Sequence, residues 1–148
     1  MKTIKTIDCV VVNNLLSAAS LGSMPSADKF AIIKTIKAIK PIVKAFEDFR
    51  DDAAEKLKGA NHKEMQAKAN EWREKGEKCS FSNDEKNAIN KYFDKYADDL
   101  KACIDEEVNK MNDVDIRTIS EESFGCLLEA NSNWSVEQIL KIEEIMCN

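Results

Sequence analysis

His62 is the single histidine of the chain, and it stands two residues from Glu64. A histidine near a carboxylate can act as a general base, but only with a nucleophile or a substrate proton in reach. The surrounding segment, 59–82, is strongly polar and supplies no such partner. A zinc site draws on several His or Cys ligands, and no second histidine exists. The expectation is a solvated surface histidine. The cysteines are Cys9, Cys79, Cys103, Cys126 and Cys147, an odd number at wide spacing with no CxxC pair. That pattern fits neither a disulfide scaffold nor a zinc module, and free thiols in a reducing compartment fit better. Cys9, Cys103, Cys126 and Cys147 adjoin apolar residues and read as small buried hydrophobes. Cys79 follows Lys78, but adjacency to a lysine does not by itself lower a thiol pKa.

Carboxylates cluster at Asp51, Asp52 and Glu55 and again at Asp105, Glu106 and Glu107. Helical di-iron sites combine such carboxylates with Glu-x-x-His pairs, and the chain contains none. Gly-rich phosphate loops and G-x-S-x-G elbows are absent too. The acids therefore read as solvated helix faces. No catalytic, cofactor-binding or metal-ligating residue is expected, and the chain reads as a non-enzyme.

Two surface features remain. Lys29, Lys34, Lys37, Lys40 and Lys44 fall on one broad face at helical spacing. Such a face can touch a nucleic-acid backbone in a salt-sensitive, non-specific way. The net charge of −5 argues against that, as does the acidic turn of the face from Glu47 onward. Phe30 is the one aromatic near this face. Weak nucleic-acid association is thus the alternative function. The leading expectation is a protein-interaction or assembly role. Phe30 and Ile33 lie off the main apolar stripe, and Ile42 and Phe49 widen it. With Lys34, Lys37 and Lys40 they mark an interaction surface for another protein or a second copy. The competing expectation is that the terminal helices cover these apolar residues.

The element that positions them is Ser26–Lys58. Ile32, Ile36, Ile39, Val43 and Phe46 recur at gaps of four and three, the spacing of one helical stripe. Ser26 opens the helix as a cap and Gly59 closes it. At the usual rise it runs about 48 Å. Pro41 lies inside, where a missing amide and a clash with the Lys37 carbonyl either kink the helix or split it in two. Its lysines come mostly before its acids, against the helix dipole, so an antiparallel partner acidic beside the basic half would complement it.

The rest of the chain supplies that partner. Ser82 begins a capping box with Glu85, and Ile89, Phe93, Tyr96, Leu100 and Val108 stripe a helix from Asn83 to about Met111. Asp98–Glu107 is its acidic half. Lys2–Ile7 and Val114–Ile119 are β-branched runs expected to pair as a small ribbon. Asp8 is placed to cap a helix over Cys9–Leu21, Ser120 one over Glu121–Glu129, and Ser135 with Gln138 one over Val136–Met146. The whole is expected to be mainly α: one helical domain, residues 1–148, around a long antiparallel hairpin, with 59–82 as a polar, mobile tip. No signal peptide or membrane-spanning run is evident, which fits a cytoplasmic protein.

This layout resembles small proteins encoded by tailed bacteriophages and prophages. The matching pieces are KTIKTID at Lys2–Asp8, MPSADKF at Met24–Phe30, FEDFR at Phe46–Arg50, VDIRTI at Val114–Ile119 and the segment Trp134–Ile145. The resemblance implies a phage or prophage origin, with an accessory role in particle assembly, within the virion or outside it, or in host interaction. It implies no activity and no active-site residue.

Overall fold

Apolar positions three and four residues apart build the longest element, α2 (Ser26–Leu57). Ala31, Ile32, Ile39, Val43 and Phe46 are buried along it, together with Thr35. The computed structural model describes residues 1–148. Of the two expectations for Pro41, the split is excluded, because α2 is a single helix through that residue. Pro41 and Lys37 both lie on the exposed side, so water can serve the Lys37 carbonyl that loses its helical donor.

The remaining elements, in order, are β1 (Lys2–Lys5), α1 (Thr6–Ser17), α3 (His62–Lys75), α4 (Asn83–Val108), β2 (Met111–Val114), α5 (Glu121–Ala130) and α6 (Val136–Met146). The fold is mainly α with a small β ribbon, as the sequence implied. The chain divides into two compact units: Met1–Glu47 with Glu107–Asn148, and Asp48–Glu106.

The first unit holds the ribbon and the terminal helices. β1 and β2 are antiparallel, with Lys2 opposite Val114 and Lys5 opposite Met111. The second strand thus starts before the β-branched run VDIRTI, which was the expected strand and overlaps it only at Val114. Asn112 explains part of the shift. Its amide donates to the Ile4 carbonyl at 3.2 Å and to Thr6 Oγ1 at 2.9 Å, fixing the register beside β1. The run after Val114 is used differently. The Ile119 amide donates to the Met146 carbonyl at 2.8 Å, and the Arg117 carbonyl accepts from buried Thr35 at 3.4 Å.

Helix α1 also begins earlier than expected, after Lys5, so Asp8 lies in its first turn instead of capping it. Cys9, Val12 and Leu16 form its buried stripe and meet Ile32, Ile39, Leu127, Ile142 and Met146 in one core. Polar groups lock the helices in place. Asn131 is buried at the end of α5; its amide donates to the Ser20 and Leu127 carbonyls at 2.7 and 2.8 Å, and its oxygen accepts from the Ser20 amide at 3.0 Å. The Lys2 ammonium donates to the carbonyls of Glu144, Ile145 and Cys147 at 3.0, 2.8 and 2.9 Å, where the dipole of α6 presents negative charge. Asp28 accepts from Ser120 and Ser123 at the start of α5. Gly22 has φ +66°, and a Cβ there would sit 3.2 Å from both Ala130 Cβ and the Cys126 carbonyl oxygen, so glycine lets the loop approach α5.

The second unit contains the end of α2, all of α3 and most of α4. The Tyr96 hydroxyl donates to the Ala54 carbonyl at 2.8 Å, which sets these two helices side by side. Asp98 and Asp99 follow within one turn of Tyr96. The segment after Gly59 is a helix of 14 residues held to α4 at both ends. His62 does so at one end, and Trp72 lies under the Lys86 ammonium, 5.6 Å from the ring centre, at the other. Ser82 caps α4 by accepting from the Glu85 amide at 3.2 Å, and Ile89 is its buried anchor.

Candidate functional site

His62 is not the solvated side chain that its polar surroundings suggest. It is half-buried, with Nδ1 2.7 Å from the Tyr92 hydroxyl and its ring 5.0 Å from Tyr96 and 6.0 Å from Phe93 between centres. The physical reason is the packing of α3 along α4, which the thin apolar pattern of α3 understated. The arrangement joins an imidazole to a phenol and two further rings, a cluster that secures α3. Nowhere in the chain do three or more His, Cys, Asp or Glu side chains converge to hold a metal ion.

The thiols divide by burial. Cys9 is fully buried, and burial, with help from the Asp8 charge, pushes its pKa up to about 11. Burial also raises Cys147, assisted by Glu143. Both are therefore protonated and poorly nucleophilic near neutral pH. Cys103 is exposed on α4, contrary to its expected place in a core, because it falls beside the buried stripe rather than on it. A groove of about 600 Å³ runs past Lys2, Ile4, Ile7, Asp8, Met111 and Lys141. Most of its charges are spent on structure. Lys141 bridges Asp8 at 3.2 Å and Glu144 at 3.4 Å, while Lys2 holds the end of α6. Burial opposes the Lys141 charge, but these two carboxylates outweigh it and raise the pKa.

The outer face of α2 is different. Phe30 is 62% exposed and Ile33 40% exposed, and α5 and α6 leave both uncovered. At 100° per residue these two share a face with Lys34, Lys37 and Lys40, all exposed. Opposite them, Ile32, Ile39 and Val43 enter the core. The expected surface residues thus separate. Phe30, Ile33, Lys34, Lys37 and Lys40 come together as an apolar start followed by a basic row. Ile42 turns away and packs against the core. Phe49 is 38% exposed but belongs to the other unit.

A second apolar face lies on α6, and the sequence reading missed it. Val136 is 73% exposed and Leu140 60% exposed, one turn apart. Glu137, Glu143 and Glu144 surround them and are exposed. The signal was present in helical phase, since Leu140 lies about 160° around the helix from core Ile142. No helix of the chain is long and apolar enough to cross a membrane. Comparison with protein-family models, with curated proteins and with solved structures gives no match to this chain.

Proposed function

We propose that this is a non-enzymatic protein-interaction or assembly protein. The carrying observation is the uncovered pair Phe30 and Ile33, set on a well-anchored helix and continued by Lys34, Lys37 and Lys40. Large apolar side chains grouped on a rigid face and bordered by charge are what a protein partner buries. The buried, high-pKa thiols and the structural use of the groove charges favour binding over chemistry. The setting we favour is an accessory role in a phage or prophage, on the resemblance of the layout.

A photo-crosslinking amino acid at position 30 tests this. Covalent capture of protein, whether this chain or another, from position 30 but not from exposed Lys91 is the expected result. Absence of any protein adduct at position 30 overturns the proposal. The row of exposed lysines favours one alternative, non-specific association with nucleic acid. Retention on DNA at low salt that fades steeply with added salt, and that Lys34→Glu with Lys37→Glu abolishes, would support it. No retention at low salt would exclude it.

A further inference from the structure

The chain carries two uncovered apolar faces of opposite charge, both in the unit formed by Met1–Glu47 and Glu107–Asn148. On α2, Phe30 and Ile33 are followed by Lys34, Lys37 and Lys40. On α6, Val136 and Leu140 are accompanied by Glu137 and Glu143. Each face has its apolar pair near the start of its helix and a charge seven residues on, Lys37 and Glu143, with Glu137 flanking the pair on α6. Phe30–Lys37 and Val136–Glu143 are both eight residues, seven steps or about 10 Å of helix. Laid alongside each other with their starts at the same end, Phe30 meets Val136 and Lys37 meets Glu143, while Lys34 lies within about one turn of Glu137.

We infer that the partner of the α2 face is the α6 face of a second copy of this chain. The inference rests on the interaction role proposed above and gives that role an occupant. The argument is charge complementarity joined to apolar area on both sides. Opposite charges steer and align two surfaces, while the apolar centre supplies most of the affinity. The two faces differ, so the contact runs head to tail, α2 of one copy on α6 of the next, in an assembly of two or more copies.

Charge exchange on the full-length chain tests this directly. Variant one carries Lys34→Glu and Lys37→Glu; variant two carries Glu137→Lys and Glu143→Lys. All four positions are exposed, and circular dichroism checks that both variants fold. Sedimentation velocity over a concentration series should show the native chain at twice its 16.7 kDa mass or a higher multiple. Each variant alone meets like charge at every contact, so its self-association should weaken about tenfold or more. Mixed together, the variants meet opposite charge at every contact and should recover association.

A native chain that stays monomeric at every concentration overturns self-pairing. So does association that neither variant weakens, or variants whose mixture fails to recover it. If the native chain is monomeric yet position 30 crosslinks to a different protein, self-pairing fails and the interaction role stands. If position 30 captures nothing, both fail.

Discussion

Replacing Asn131 is the sharpest test of how the first unit is held together. Its side chain makes three hydrogen bonds, two as donor to the Ser20 and Leu127 carbonyls and one as acceptor from the Ser20 amide. A neutral hydrogen bond contributes about 1 kcal/mol net, so the three together contribute roughly 3 kcal/mol. Ser20 is exposed, and water can recover part of its share in a truncated variant. Asn131→Ala should therefore lose about 2 kcal/mol. Asn131→Asp keeps size and shape but swaps the donor for an acceptor. It would aim a carboxylate oxygen at two carbonyl oxygens that now accept at 2.7 and 2.8 Å. It should lose more than the alanine variant at pH 7.

The aspartate variant also has a defined pH dependence. Crowded by carbonyls, the new carboxyl is easier to protonate in the folded chain than in the unfolded chain, where its pKa is about 3.9. The folded state then binds the extra proton, so the variant regains stability as pH falls toward 4. Urea unfolding followed by Trp134 fluorescence, in a Trp72→Phe background, reads this unit. A loss below about 0.5 kcal/mol for alanine would refute the hydrogen-bond argument, given the net value of one such bond. An aspartate variant no worse than alanine at pH 7 would refute it as well.

Lys2→Met should lower stability by about 1–3 kcal/mol, because it removes a charged donor from three carbonyls at the end of α6. Hydrogen exchange in the last turn of α6 should rise with it. Stability should also fall between about pH 9 and 11. The Cys9 pKa is raised from 9.0 to about 11, so the unfolded thiol ionises first and the folded state is lost at roughly 1.4 kcal/mol per pH unit. Cys147 acts in the same direction. Urea midpoints measured against pH should show the slope, and Cys9→Ala should reduce it.

Where local chemistry decided the outcome, the sequence was readable. Ser135 and Gln138 specify the start of α6 through a capping box that forms as written, with both reciprocal bonds present. The off-stripe phase of Phe30 and Ile33 correctly marked them as exposed. Where distant segments decided it, local signals misled. The β-branched run VDIRTI has strong strand propensity, but the ribbon went to Met111–Val114, where Asn112 can reach Ile4 and Thr6. Tertiary pairing overrode propensity there. His62 misled for the same reason, since its aromatic neighbours come from Tyr92–Tyr96, some thirty residues on. Ile42 has the spacing of the apolar stripe's flank, and what packs beside it takes it into the core and out of the interaction surface.

The ribbon register has a consequence for biosynthesis. Lys2 pairs with Val114, so β1 leaves the ribosome long before its partner exists. At about 5–20 residues per second, the strand waits roughly 5–20 s with its edge open. An unpaired edge invites pairing with neighbouring nascent chains, and lysines on such an edge discourage it. Lys2 and Lys5 sit at the two ends of this four-residue strand. The lysine that would discourage such pairing at one end of the strand is also, once the chain is complete, the clasp on the finished helix α6.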